Sequence, residues 1–525
     1  MTPSGGVRLA RLGRELLLSG RLTSDRVALP EPALLDLPEK AVQFGTGAFL
    51  RGFIDYFLDE ANRSGAFGGR VVAIGSTASG RDVALNEQDG LYTLISEGAG
   101  ATAPVRECRV VASVSRALSA QREWLDVLSL ARTPGLEFIF SNTTEVGIAV
   151  EEGDRLDAEP PPSFPGKLTR FLLERGRAFR YADDAAPVVL PCELIERNGD
   201  RLRELVLTLA TRWKVEREFA DWIGRAVPFC NTLVDRIVPG RPDDARRSEL
   251  EQTLGFRDDM MIAAEPYRLF AIEAKAATQA RLRFATADEG VVLTDDVTPY
   301  RERKVRILNG GHTLLASLGL LVGCRTVLEA VQHDLLGRYL RRVLFDEIVP
   351  SLAVSGGEAF ARDVLTRFAN PFLRHALTDI TLQHTSKMRV RVVPSIVQFA
   401  ERRGGAPASL AFGFAAYLLL LRDAGAASSV MRPFLAADGE RERVRDLWRE
   451  VPDESEESLR AFVARSCASE ALWQTDLSYV SGFVEQVGSA LILMSRRGVA
   501  RALAEHLDTV GASRPALASS LSNGS

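Results

Sequence analysis

The chain is predicted to be an α/β domain followed by a mostly α-helical domain. Three observations predict it. Short apolar runs alternate with helical periodicity from residue 41 to about residue 190. A glycine-rich turn, Gly45-Thr46-Gly47, joins the first such run to the first helical pattern. Beyond about residue 300 long helical patterns dominate. Strands alternating with helices argue for a parallel sheet.

Taken in order, residues 1–38 form a weakly patterned extension. Met1–Leu18 mixes Arg with Leu and Ala, lacks the continuous apolar core of a secretory signal, and reads as a solvated helix. A turn region with Pro30, Pro32 and Pro38 follows. The α/β domain is expected over 39–295. Ala41–Phe44 is its first strand, and Phe49–Asn62 reads as a helix with Phe53, Ile54, Phe57 and Leu58 inward. Val71–Ile74, Phe138–Phe140 and Pro187–Leu190 are further buried strands. A boundary is expected at Asp295-Asp296. The helical domain, 296–508, carries the patterns Val305–Val322, Thr326–Phe345, Ala408–Arg422, Ser458–Ala464 and Tyr479–Leu503. The tail 509–525 is rich in Ser, Ala and Gly and is expected to fray.

Composition narrows the function. Hydrophobic residues at 46% and charged residues at 26% exclude wholesale disorder. With 65 Lys+Arg against 69 Asp+Glu, the net charge of -4 leaves no basic excess for nucleic acid. The longest uncharged stretch lies between Arg403 and Arg422, and its dense apolar part is only Leu410–Leu421. That is too short for a hydrocarbon layer of about 30 Å, so it reads as a buried core helix, with no membrane partner. Five single Cys without CxxC spacing suit a reducing, cytoplasmic setting. Five His without HxH or HxxxH spacing point to no metal site.

Two stretches carry chemistry. Gly45-x-Gly47 stands where a strand hands over to a helix, where a dinucleotide needs a sharp turn and backbone N–H groups close to its pyrophosphate. Leu50 replaces the third glycine of GxGxxG, and Arg51 adds a cation near the phosphates. The second strand ends in Gly75-Ser76-Thr77 with no acid, and Arg81 follows, so NAD and NADP both stay open. The other stretch is Lys304-Val305-Arg306-Ile307-Leu308-Asn309-Gly310-Gly311-His312. On a regular helix Lys304, His312 and Asn309 fall at about 0°, 80° and 140°, sharing one side. Gly311 beside them would let a ligand approach the backbone. A Lys of lowered basicity suits proton transfer on a carbinol oxygen, Asn suits oxyanion stabilisation, and His suits a neighbouring hydroxyl. Polar strand ends at Cys192–Gly199 (with Glu196 and Asn198) and Asn231–Arg236 (with Asp235) are further candidates. So is the cationic run His384–Arg391, whose Lys387, Arg389 and Arg391 suit a carboxylate.

Together these stretches resemble the polyol-specific long-chain dehydrogenases, the mannitol dehydrogenase family. The likeness rests on Lys304-x4-Asn309-x2-His312, on Gln43–Arg51, Gln88–Thr93, Ser141–Glu145 and Pro191–Ile195, and on Thr232–Val238, Arg367–Phe372 and Gly482–Val487, in order from about residue 40 to about residue 505. The resemblance implies a Rossmann-type N-terminal domain, a helical C-terminal domain and a site in the cleft between them. It implies metal-independent hydride transfer between NAD(H) and a small-molecule sugar acid, by a monomer or small homo-oligomer. The Cys192–Ile195 and Ser141–Glu145 forms point to the tagaturonate/altronate branch, with fructuronate/mannonate chemistry and an inactive nucleotide-binding sensor as rivals. Lys304 becomes the general acid/base, Asn309 an oxyanion donor and His312 a hydroxyl ligand. Phe44, Gly45, Gly47, Phe49, Arg51, Ser141, Thr143 and Glu145 fall to the cofactor, and Asp235, Lys387, Arg389 and Arg391 to the substrate. Two positions depart from the family pattern. Leu194 replaces a second oxyanion Asn, and Asp379 replaces an Arg eight residues before Lys387. Both changes make a neutral polyol substrate doubtful.

Overall fold

The computed structural model describes residues 9–22, 25–76, 80–99, 104–143, 147–373, 375–423 and 440–512. The chain divides into two compact units. One comprises Met1–Gly98 and Ala103–Val297, the other Ala99–Thr102 and Thr298–Ser525.

The first unit is built on a five-stranded sheet. Its strands are β1 (Glu39–Phe44), β2 (Arg70–Gly75), β5 (Val114–Ser119), β6 (Phe138–Ser141) and β7 (Val188–Pro191). Their order is β5-β2-β1-β6-β7, and every pairing is parallel. Such a sheet is covered on both faces, which is why its strands read as continuous apolar runs. Alternation along β1 sends Val42 and Phe44 to one core with Phe171, Leu202 and Trp222. It sends Ala41 to the opposite core, with Phe53, Ile54 and Phe57. Two three-stranded sheets complete the unit. Among their strands, β3 (Tyr92–Ala99), β4 (Pro104–Val111) and β9 (Ile262–Ala264) form one. The other pairs β10 (Leu269–Glu273) with β11 (Val291–Thr294) in parallel and with β8 (Asn231–Asp235) antiparallel.

The described part of the extension is anchored in the core of the first unit. Leu12, Leu16, Leu17, Val27 and Leu35 are buried with Leu91, Ile95, Val110, Phe256 and Met261. Arg14–Leu18 is α-helical, Pro32–Asp36 is a 3-10 helix, and backbone bridges tie Arg11 to Arg257 and Ala28 to Arg109. Five apolar side chains with a core to enter outweigh the arginines between them, whose charged ends stay at the surface.

The second unit is helical. Ala408–Asp423 lies at its centre, with Phe414 stacked edge-on against Trp473 at 4.9 Å and Phe483 at 5.6 Å, as a helix apolar all round requires. The helix Thr298–Val322 is long and apolar enough to cross a membrane by length and composition, and 72% of its apolar window is buried within the protein. Several predicted helices are interrupted. Phe49–Asn62 breaks at Phe53 into Ala48–Gly52 and Ile54–Arg63. Thr326–Phe345 divides at His333 and ends in a π-helical turn, Val343–Ile348. Tyr479–Leu503 divides at Gly498, whose φ of 77° leaves the helical region, into Phe483–Arg497 and Val499–Ala512. The predicted fraying tail is helical as far as Ala512 and lies outside the described residues beyond it.

Candidate active site

The glycine turn sits at the carboxyl end of β1. Gly45 has φ 139°, and a Cβ there would meet Leu50 Cδ1 at 2.8 Å, so only glycine fits. A Cβ at Gly47 would meet nothing within 4 Å, leaving room above the turn. Gly45 N donates to Ile74 O of β2 at 2.9 Å, and Asn142 N, just past β6, donates to Phe44 O at 3.3 Å. Connections leave β1 for β2 on one side and reach β6 on the other. This is the switch point at which open parallel sheets bind ligands, and the turn fits the phosphates of a dinucleotide.

The neighbouring cofactor candidates separate into two groups. Gly45 and Gly47 form the open turn. Phe44 is core, packed on the rings of Phe164 and Phe171. Phe49 stacks on Phe53 at 5.0 Å. Arg51 is 5% exposed, and its guanidinium donates to Thr46 O at 3.3 Å and Met260 O at 2.5 Å, beneath the turn. Arg51 therefore braces the loop instead of offering its charge above it. Ser141 Oγ donates to the buried carboxylate of Glu193 at 3.1 Å, and Thr143 N donates to it at 2.9 Å. Glu193 thus holds the end of β6 in place, and burial raises its pKa. Glu145 lies outside the described residues.

The strand-end candidates are mostly fasteners. Asn198 is 1% exposed, and its amide donates to Pro191 O at 2.9 Å and Glu193 O at 3.1 Å. Arg236 donates to Glu265 O, Gly52 O and Ser96 Oγ. Asp235 closes β8 and is buried. Leu194, at the position of the family's Asn, is 59% exposed.

In the second unit Lys304, Asn309 and His312 lie on Thr298–Val322 as expected, but the helix is not regular there. Lys304–Asn309 is a π-helical turn. A helix whose N–H groups reach five residues back takes more residues per turn, so residues five apart approach one side. Lys304 and Asn309 are therefore closer in angle than regular spacing gives. Lys304 is buried and Asn309 half-buried. The glycines serve packing. A Cβ on Gly311 would meet Leu344 at 3.3 Å and Leu340 at 3.5 Å, so it admits neighbouring side chains and not a ligand. A Cβ on Gly310 would lie 3.2 Å from Arg391 O, so this glycine lets the helix His384–Arg391 come close.

That helix divides its cations. Arg391 Nη1 is 3.4 Å from Thr313 Oγ1, one residue beyond His312, and Lys387 Nζ donates to Ile380 O at 2.8 Å. Both bear electrostatically on His312. Arg389, two residues from each, faces the other way and donates to Glu440 at 2.9 Å and Leu472 O at 3.2 Å. It is not brought to His312. His384 is fully buried, with Nε2 3.2 Å from Thr313 O.

Three residues around His312 were not foreseen as site residues. Phe368 stacks on its ring at 3.8 Å and 18°, and His375 meets it edge-on at 4.9 Å. Burial first, then the neighbouring His375 and the positive field of Arg367, Arg391 and Lys387, holds His312 well below its usual pKa. The ring is therefore uncharged at neutral pH, and can donate or accept one hydrogen bond. Phe368 and Arg367 lie in a stretch that carried the family likeness, which marked them without giving a role. His375 is a lone His in a loop, and no periodicity marks it.

Among the described residues no group of three or more His, Cys, Asp or Glu is placed to hold a metal. What remains is a parallel-sheet domain with a dinucleotide turn, and a helical unit bearing an amine, an amide and a neutral imidazole on one helix. This is the equipment of a dehydrogenase of hydroxylated carbon. The family model described as the mannitol dehydrogenase Rossmann domain matches residues 39–286, and the mannitol dehydrogenase C-terminal domain matches 296–494. The chain belongs to the mannitol dehydrogenase family and is an oxidoreductase acting on CH–OH groups of polyols or sugar acids. It is 39% identical over 469 residues to an altronate oxidoreductase of Bacillus subtilis (strain 168), covering 89% of this chain and 95% of the relative. It is 37% identical to an altronate oxidoreductase of Shigella flexneri, covering 89% and 96%. Among solved structures it resembles Pseudomonas fluorescens mannitol 2-dehydrogenase in ternary complex with NAD and D-mannitol. There the TM-score is 0.71 at 26% identity, over 95% of this chain and 99% of the other.

Proposed function

We propose that the protein interconverts D-tagaturonate and D-altronate with NAD(H), in the cytoplasm. The observation that carries this reading is the positive field that Arg367, Lys387 and Arg391 exert on an uncharged His312, on the unit that holds Lys304. Such a field favours a sugar bearing a carboxylate over a neutral polyol. The altronate oxidoreductases among the relatives, and the presence of Leu194 and Asp379 where mannitol-type members carry Asn and Arg, support the same choice.

Lys304 takes the proton from the reacting carbinol oxygen in oxidation and returns it in reduction. The Asn309 amide donates to that oxygen as negative charge develops on it. His312, held neutral and held flat by Phe368, bonds a neighbouring hydroxyl. Arg391 and Lys387 take the carboxylate. A bound nicotinamide dinucleotide supplies the hydride donor or acceptor, with its phosphates at the Gly45 turn. The test is a comparison of kcat/KM for tagaturonate, fructuronate and fructose with NADH and with NADPH. The expected result is the highest value for tagaturonate with NADH. A higher value for fructose would overturn the reading, and a higher one for fructuronate would move it to the sister chemistry.

A further inference from the structure

Beneath the glycine turn lies a polar pair that neither strand pattern nor helix pattern explains. Gln43 of β1 and Asp55 of Ile54–Arg63 are both 0% exposed, inside a core otherwise made of Ala41, Ala73, Phe140, Phe53 and Phe57. Gln43 Nε2 uses both its hydrogens: it donates to Gly45 O at 3.2 Å and to Asp55 Oδ2 at 3.3 Å. Two buried oxygens are left without partners, Asp55 Oδ1 and Gln43 Oε1. They are the remaining polar atoms of the same carboxamide and carboxyl. Both are acceptors if Asp55 is ionised, and a buried acceptor without a donor is costly. One proton answers both: on Oδ1 it gives Asp55 a hydroxyl donor that Gln43 Oε1 can accept, while Oδ2 continues to accept from Nε2.

We propose that Asp55 is a neutral carboxylic acid, joined to Gln43 in a cyclic acid–amide pair, and that the pair positions the Gly45 turn for the phosphates of the dinucleotide. This rests on the reading of that turn as the cofactor-phosphate site. The surroundings agree. Burial is the largest influence on Asp55, and it raises the pKa from 3.8 to about 7 against the opposing effects of Gln43, Arg51 and Tyr92. Arg51 faces the carboxyl from Ala48–Gly52. Tyr92 faces it from β3, with its hydroxyl donating to Arg51 O at 2.8 Å and lying 3.3 Å from Oδ2. Asp59, one turn along, adds a like charge that keeps the proton on. Arg236 reaches the same turn of chain through Gly52 O, and Asp258 acts on Arg51. Arg51 favours the ionised form, but burial outweighs it, and two of its nitrogens, Nε and Nη1, donate to backbone carbonyls.

The sign follows. A carboxyl whose folded pKa is raised stabilises the fold fully below its unfolded pKa of 3.8, and that stability is lost as pH rises to about 7. Cofactor phosphates above the turn oppose a second negative charge beneath it. Cofactor binding therefore weakens as Asp55 ionises, by about tenfold per unit that the phosphates raise its pKa.

Asp55→Asn tests this, because an amide in place of the acid rebuilds both hydrogen bonds to Gln43 and cannot titrate. Two quantities are measured from pH 5 to pH 9 on the whole protein: the melting temperature without cofactor, and the Kd for NADH. As pH rises through about 7 both should worsen more steeply in the wild type than in Asp55→Asn, since Glu347, also raised to about 7, titrates in both proteins, and Asp55→Asn should match the low-pH wild type in NADH affinity. Asp55→Ala should bind NADH weakly at every pH. A melting temperature whose difference from Asp55→Asn is constant across the range would overturn the neutral acid. An NADH Kd with the same pH dependence in both proteins would overturn the positioning role. Absence of NADH binding by the wild type would refute the phosphate site itself, and the melting series would still decide the protonation of Asp55.

Discussion

The Gly45 turn and the Lys304 helix both place cations beside a functional stretch, and they use them in opposite ways. At the turn, Arg51 is drawn inward until its donors end on Thr46 O and Met260 O. Its charge is desolvated, its pKa is lowered by burial, and it acts as a brace. Around His312, Lys387, Arg391 and Arg367 exert a positive field that, with burial, keeps the imidazole uncharged. The difference lies in number and convergence. One buried guanidinium bonded to two carbonyls fixes a loop, whereas three cations whose fields meet at one neutral ring favour an anion, although Lys387 Nζ also donates to Ile380 O.

This contrast can be broken or sharpened by substitution. The largest effect is expected at Lys304: Lys304→Ala should lower kcat by about 10² to 10⁴, the usual worth of a positioned proton donor, without altering the melting temperature by more than a few degrees. Next is Arg391→Gln. Losing one charge-assisted hydrogen bond, worth about 1.5–3 kcal/mol, should raise KM for tagaturonate about ten- to a hundredfold and leave KM for a neutral ketose nearly unchanged. Equal changes for both would remove the carboxylate role. Phe368→Leu removes the ring that lies 3.8 Å from His312. It should raise KM several-fold and cost about 1–2 kcal/mol of stability as a large-to-small core change. The smallest kinetic effect belongs to Arg389→Met. Its partners are Glu440 and Leu472 O, so KM should move less than about twofold while the melting temperature falls by a few degrees. A large rise in KM would return Arg389 to the substrate.

The same contrast explains what was readable in advance. β1, β2, β6 and β7 were legible because strands buried on both faces are continuous apolar runs. The strands β4 and β5 were not, since charges such as Arg106, Glu107 and Arg116 interrupt their pattern, and β9 and β11 are only three and four residues long. Helix positions in the second unit were legible, but their breaks were not. Phe53, His333 and the π-helical turns carry no sequence mark, because local backbone choice there is set by packing partners distant in the chain. For the site, residue types and spacing named Lys304, Asn309 and His312. Regular-helix arithmetic misjudged the angle between the first two, since a wider turn cannot be inferred from spacing. Arg51 and Arg389 were read by charge alone, and only three-dimensional partners reveal that their donors are already engaged. His375 reaches His312 through a loop held by the bond from Val327 N to its carbonyl, a link between residues far apart in the pattern.

The most direct measurement is turnover of tagaturonate by Lys304→Ala, with and without a small primary amine in solution. If Lys304 moves the proton of the CH–OH group, the variant is slow alone, and added amines restore its rate in order of their basicity. Wild-type turnover without amine, or a slow rate that no amine improves, would contradict the role given to Lys304.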